Sequence, residues 1–294
     1  MSLCTLCPRK CGIDRSKHTG RCGVGDTLMV ARASLHMWEE PCISGDVGSG
    51  TVFFSGCSLG CVYCQNRQIS RGQAGKKITI ERLGEIFLQQ QGRGAANINI
   101  VTGDHYVPQI VKALGFARNG GLKIPVVFNT SSYINTDTLK MLEGYVDVYL
   151  PDYKYHNAKI AQRYSGAEDY PQVAQTAIEL MLEQCGKPRF DDNGYITKGV
   201  IVRHLVLPGN LLNTKQALRY LHSRYGDDIY ISIMSQYTPC TDLQKFPEIN
   251  RRLTKAEYDK IVNFATELGI NNAFVQEGDS ADESFIPPFD NEGV

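Results

Sequence analysis

Apolar residues recur along this chain in two rhythms. Short continuous runs rich in β-branched residues occupy 51–55, 98–102, 125–129, 146–150, 200–207, 229–234 and 273–276. Runs of this length, apolar at nearly every position, are the pattern of parallel strands buried on both faces. Amphipathic stretches lie between them. Residues 79–91 set Ile80, Leu83, Phe87 and Leu88 on one side of a helix, and 107–118, 136–142, 170–184, 214–225 and 254–268 behave alike. Thr79, Asn135 and Thr254 stand where N-caps belong. Strand–helix units in such a series predict an α/β fold with right-handed crossovers, the parallel sheet open or curled into a partial (β/α)6-type barrel.

The first 48 residues break the rhythm. They are rich in Cys, Gly and polar residues with little sustained periodicity, and Gly45, Gly48 and Gly50 mark the junction. A small Cys-rich metal-binding segment (1–48) followed by the α/β domain (49–294) is therefore expected. A stretch this short buries little apolar surface, and a metal would supply the missing stability.

Composition narrows the class. The hydrophobic share of 42% over 294 residues fits a packed soluble core. No stretch approaches the roughly 20 apolar residues that span a bilayer. Residues 1–12 lack a charged n-region followed by an apolar h-region, so a cytoplasmic location is expected. Lys plus Arg and Asp plus Glu both total 31, and this balance gives no signal for nucleic acid or an anionic membrane.

Ten cysteines change the picture. Two tight groups precede residue 65, with Cys42 between them and only Cys185 and Cys240 beyond. A secreted disulfide scaffold is normally shorter and follows a signal peptide. Thiols grouped like this in a reducing compartment point to metal.

The second group follows the first apolar run: Phe53-Phe54-Ser55-Gly56-Cys57-Ser58-Leu59-Gly60-Cys61-Val62-Tyr63-Cys64-Gln65-Asn66. The spacing is C-x3-C-x2-C. Three thiolates on one loop can cap three irons of a cubane and leave the fourth open, whereas electron-transfer clusters normally have four cysteine ligands. A structural zinc loop would want a fourth ligand close by, and none follows soon after Cys64. Gly56 and Gly60 let the backbone wrap closely.

With Tyr63 in the aromatic position, this run resembles the radical S-adenosylmethionine (SAM) superfamily. The fuller stretch from Gly56 to Asn66 is similar to the pyruvate formate-lyase-activating enzymes. The resemblance implies a [4Fe–4S] cluster on Cys57, Cys61 and Cys64 whose open iron chelates SAM. It further implies reductive cleavage to a 5′-deoxyadenosyl radical, with electrons from a protein such as flavodoxin or ferredoxin.

The first group is Cys4-Thr5-Leu6-Cys7-Pro8-Arg9-Lys10-Cys11 with Gly20-Arg21-Cys22-Gly23. Four thiols complete a tetrahedral zinc site or ligate a second iron–sulfur cluster, and both remain open. This segment resembles the leading segment of an uncharacterised branch of the activating-enzyme relatives. Activases with extra clusters usually carry them after the radical SAM motif instead.

Ligands in such folds sit at the carboxyl ends of the strands. There, Thr102-Gly103-Asp104-His105 partly resembles the family's Gly-Gly-Glu segment through Gly103 and Asp104; a simple strand-to-helix turn is the alternative. Asn129-Thr130-Ser131-Ser132 resembles its Asp-Thr-Asn-Gly segment, with Asn129 replacing the acid. Asp152-x-Lys154 matches its Asp-x-Lys motif, which implies contacts to the polar end of SAM. Val202-Arg203-His204 through Gly209 resembles its Ile-Arg-x-Val-x-Pro-Gly strand, with Arg203 the ligand-facing charge and His204 structural. Met234 to Pro239 is expected to line the substrate side. The resemblance runs on to Phe285-Ile286-Pro287-Pro288-Phe289-Asp290, nearly the whole chain.

The resemblance implies a glycyl radical enzyme as substrate. Radical modification of a small molecule or another macromolecule is the alternative. A non-catalytic iron–sulfur binding protein is the third reading, and an open iron beside matched SAM positions argues against it.

Overall fold

The structure is a computed structural model describing residues 3–72, 74–239, 243–276 and 287–294; Cys240, Phe285 and Ile286 lie outside the described residues. The chain enters the sheet with β1 (Met29–His36), then α1 (Pro41–Ser44), β2 (Ser49–Phe54), α2 (Arg67–Ser70) and β3 (Lys76–Lys77). It continues with α3 (Ile80–Gly92), β4 (Ile98–Val101), α4 (Val107–Asn119), β5 (Val126–Thr130), α5 (Thr136–Lys140) and β6 (Val148–Pro151). Next come α6 (Ala158–Ser165), α7 (Tyr170–Cys185), β7 (Arg189–Phe190) and β8 (Ile196–Leu205). The last elements are α8 (Leu211–Tyr225), β9 (Tyr230–Met234), α9 (Lys255–Glu267) and β10 (Ala273–Val275).

The sheet runs β10-β9-β8-β6-β5-β4-β2-β1-β3, with β7 paired to β8 at the side. From β2 to β10 the neighbouring strands in that order are parallel, while β1 pairs antiparallel with both β2 and β3. The sheet does not close, as expected for a partial barrel. Its central strands are the apolar runs of the sequence: every residue of β2, β4 and β6 is buried. Helices return the chain along the outside. In α3 the buried stripe is Leu83, Ile86 and Phe87, and Thr79 caps it by accepting the Arg82 N–H. Thr254 and Glu257 form a reciprocal capping box at the start of α9. Asn135 does not cap α5; its Nδ2 donates instead to the Thr5 carbonyl at 2.6 Å.

Beyond the short α1, α2, β3 and β7, two longer elements depart from the sequence reading. Strand β1 falls inside the first 48 residues and belongs to the main sheet, paired along β2 from Val30 to His36. Helix α6 was not anticipated either. The chain also returns to β1 at its other end: Asn291 N–H donates to Ala31 O at 3.0 Å, and Ala33 N–H donates to Glu292 O at 2.8 Å. Arg32 anchors this return through Asp290 at 2.8 Å and through Glu292. A Cβ at Gly293, whose φ is +73°, would lie 2.1 Å from Ala33 O, so only glycine fits that approach. Among the described residues, no helix is long and apolar enough to cross a membrane.

Candidate active site

A cavity opens where the parallel strands end. Its wall takes Val101 and Thr102 from the end of β4, Asn129 of β5 and Ser131 just after it, and Asp152 and Lys154 from the loop after β6. Arg203 and Leu205 of β8, Met234 at the end of β9 and Gln236 beyond it complete that side, and the loop after β2 contributes Cys57, Cys61, Tyr63 and Cys64. This is the end of an α/β barrel where ligands bind.

The cysteine loop is built to present sulfur. Gly56 has φ +93°, and a Cβ there would lie 2.8 Å from Cys22 O and 3.0 Å from His105 Nε2. Each of the three thiols receives a donor. Leu59 and Gly60 backbone N–H groups point at Cys57, and Asn66 N–H and the Ser70 side chain at Cys64. Ser165 Oγ donates to Cys61 Sγ at 3.1 Å. Desolvation pushes the Cys57 thiol up to about 12 and the Cys64 thiol up to about 11, with neighbouring cysteines adding to both. Those sulfurs keep their protons at neutral pH until a cation replaces them. Tyr63 is buried against the edges of Tyr155, Tyr164 and Tyr237, ring centroids 6.4, 6.1 and 6.0 Å away, which fixes the loop from behind.

Across the cavity, Lys154 Nζ pairs with Asp152 Oδ2 at 2.6 Å. Burial opposes the lysine charge, but Asp152 and, once ionised, the sulfurs of Cys61 and Cys64 outweigh it and raise the lysine's affinity for its proton. Tyr170 OH shares its one proton between the carbonyls of Ser131 (3.0 Å) and Asp152 (2.8 Å) and accepts from Lys154 N–H, tying the loops after β5 and β6 together. Ser131 Oγ is buried in the cavity wall with no hydrogen-bond partner. A polar atom left unsatisfied there is a place for a polar ligand.

Several expected positions are elsewhere. Gly103, Asp104 and Thr130 do not line the cavity. Asp104 is buried behind the wall and accepts from Thr130 Oγ1, and burial pushes its carboxyl up to about 6. Thr102 faces the cavity in their place, in a left-handed conformation of φ +59°. Arg203 is in the wall, but its charge is not free for a ligand: its guanidinium is held by Glu40, with Nε–Oε1 at 2.8 Å, and by Glu39. Glu39 also accepts from Asn99 Nδ2 at 2.8 Å. His204 is structural, bonded to Tyr153 O at 2.6 Å and Thr214 Oγ1 at 3.0 Å. Sequence reasoning missed His36, Trp38 and Glu39, which line the cavity from the end of β1 and the turn after it. The adjacent acids and Pro41 were the available signal.

The donor set fits the cofactors that the sequence resemblance implied. Among the described residues no three Cys, His, Asp or Glu side chains form a ready site for a single metal ion. A cubane takes its thiolates at separate corners, so it asks for no such convergence. The decisive observation is the family match, which covers residues 51–221 and is described as the radical SAM superfamily. The chain belongs to the radical SAM superfamily. Membership implies a [4Fe–4S] cluster, SAM and radical chemistry that depends on SAM.

An uncharacterized protein of Methanocaldococcus jannaschii is 28% identical to this radical SAM protein over 277 residues, 91% of this chain and 75% of the relative. Streptococcus suis SuiB bound to S-adenosylmethionine shares the fold, with TM-score 0.52 and 13% identity over 75% of this chain. The hydrogenase maturase HydG of Carboxydothermus hydrogenoformans gives TM-score 0.52 and 13% identity over 78% of this chain. The radical SAM chain spans about half the length of these two solved proteins, 48% and 54%.

Proposed function

We propose that Cys57, Cys61 and Cys64 hold the [4Fe–4S] cluster, that Asp152, Lys154 and Ser131 hold the polar groups of SAM, and that the enzyme abstracts a hydrogen atom from the backbone of a glycyl radical enzyme. One observation carries the site assignment: three donor-supported thiols share a cavity with a buried Asp–Lys pair and an unsatisfied hydroxyl. When bound and reduced, the cluster supplies the electron that splits the sulfonium bond of SAM. The chain's own part is placement. Lys154 offers a carboxylate a fixed positive charge, Asp152 accepts from hydroxyl or amino groups, and Tyr170 keeps both loops in register. Leu205, Met234, Phe53 and Phe54 give the cavity apolar wall that excludes water from a reactive radical.

A polypeptide substrate is supported by the resemblance to the activating enzymes and by the cavity rim. Trp38 lines the cavity yet is 59% exposed, and Met37 beside it is 43% exposed. Electrons come from a one-electron carrier such as flavodoxin or ferredoxin. The test is anaerobic reconstitution with iron, sulfide, SAM and dithionite. The wild type should release 5′-deoxyadenosine, and the Cys57→Ala/Cys61→Ala/Cys64→Ala variant should release none. Paramagnetic resonance of the reaction with a glycyl radical enzyme from the same organism should show a persistent glycyl doublet. Production of 5′-deoxyadenosine without that doublet would keep the radical chemistry and remove the activase role.

A further inference from the structure

The four N-terminal cysteines take no part in the cavity, yet the chain is folded to bring them together. Cys4 N–H donates to Ile13 O at 2.9 Å, and Gly12 N–H donates to Cys4 O at 3.1 Å, which sets the first cysteine beside Cys11. The turn from Cys7 to Lys10 closes at 3.0 Å, and a second turn from Gly20 to Gly23, also 3.0 Å, carries Cys22. A Cβ placed on Gly20 would lie 3.5 Å from both Cys11 Sγ and Cys22 Sγ, so both sulfurs crowd the same glycine. Cys7 lies within electrostatic reach of Cys4, Cys11 and Cys22. All four are free thiols. Their sulfurs also receive backbone donors: Arg21 N–H points at Cys11 Sγ at 3.3 Å, and Arg9 N–H at Cys7. Donors of this kind hold metal-bound thiolates in place.

The order of this segment does not come from a hydrophobic core; it is tied down by polar contacts, among them Asn135 Nδ2 and Thr138 Oγ1 donating to the Thr5 and Leu6 carbonyls at 2.6 and 2.8 Å. Residues 3–28 contain no helix or strand, and their buried apolar side chains are few, chiefly Val24 and Leu28. A staple other than a core is needed. The segment is bolted to the radical SAM loop. Cys57 N–H donates to Cys22 O at 3.1 Å. Arg9 spans two parts of the site, donating to Ser58 O (3.0 Å) and Leu59 O (3.3 Å) on the cysteine loop and to Ser165 O (2.9 Å) and Gly166 O at the end of α6.

The four sulfurs do not converge as a single metal ion requires, so we propose that Cys4, Cys7, Cys11 and Cys22 hold a second iron–sulfur cluster, and that this cluster braces the Cys57 loop through the Cys22 carbonyl and the Arg9 guanidinium. The metal-site half stands without the function proposed above; the bracing half rests on a cluster at Cys57, Cys61 and Cys64.

The Cys57→Ala/Cys61→Ala/Cys64→Ala variant, purified anaerobically, separates the two halves. Elemental analysis and native mass spectrometry should find it still loaded with an iron–sulfur centre. Adding Cys7→Ser and Cys11→Ser should remove that load. In the wild-type protein the four thiols should resist alkylation until a chelator is added, a readout that needs no variant. A metal-free triple variant, together with wild-type thiols that alkylate freely before chelation, overturns the site. For the brace, Arg9→Gln keeps every thiol and should let a chelator strip the first cluster about tenfold faster. Equal stripping rates in Arg9→Gln and wild type overturn it.

Discussion

Ser165, the last residue of α6, donates its hydroxyl to Cys61 Sγ at 3.1 Å, joining a helix end to a loop 104 positions earlier. The same hydroxyl lies 2.8 Å from Tyr155 OH, so its orientation is fixed by a second buried group. Hydrogen bonds to cluster sulfurs stabilise the reduced, more negative state. Ser165→Ala should therefore leave iron content unchanged and shift the cluster potential to a more negative value. Removing one such bond corresponds to a shift on the order of tens of millivolts. A redox titration monitored by paramagnetic resonance checks this, and an unchanged potential would show that the bond does not reach the bound cluster.

Lys154→Ala tests the SAM contact. A charge-assisted hydrogen bond contributes roughly 1.5–3 kcal/mol, so SAM binding should weaken by about ten- to a hundredfold. Isothermal titration of the anaerobic holoprotein measures it alongside iron content, which should hold. Unaltered affinity would make the Asp152–Lys154 pair a purely internal contact.

Arg203→Met separates an internal counter-ion from a ligand-binding charge. Glu39 and Glu40 face the guanidinium with side chains 7% and 6% exposed, and losing it strands two carboxylates. Breaking a buried pair costs about 3–5 kcal/mol, and urea unfolding should show a loss of that size. Unchanged stability with weakened SAM binding would restore the ligand-facing role.

Asp104 gives a pH-dependent test. Burial raises its carboxyl from 3.8 to about 6. Between those values the folded state keeps a proton that the unfolded state has released, so stability falls as pH rises through this window and levels off above it. The decline amounts to roughly 3 kcal/mol at about 1.4 kcal/mol per unit. Asp104→Asn keeps the acceptor for Thr130 and should flatten this part of the profile. Denaturant midpoints measured across the window decide it, and an equal slope in the variant would assign the dependence to other groups.

The features that sequence showed plainly are the ones written locally. The all-apolar runs became β2, β4 and β6 because strands buried on both faces need no polar positions. The motif that identified the family lies within eight residues, Cys57 to Cys64. What stayed hidden is long-range. In β1, Arg32 and His36 interrupt the apolar run, and the strand is recognisable only from its partner β2. The counter-ions of Arg203 lie more than 160 positions away, so its neighbours in sequence gave no sign that its charge was already taken. Asp104 was placed on the ligand side by its position after β4, yet the short turn it opens carries its side chain back toward Thr130.

The return of residues 291–292 onto Ala31 and Ala33 bears on self-association. A strand with unpaired amides and carbonyls is a template on which another chain can add, and proteins blunt such templates by covering or charging them. Here β3 covers the start of β1 and the 291–292 segment covers the positions that follow, with Arg32, Asp290 and Glu292 placing charge along the seam. The sheet is thereby made finite on this side by its own chain. A foreign strand could extend it there only by first displacing a segment bound by two backbone hydrogen bonds and a doubly paired arginine.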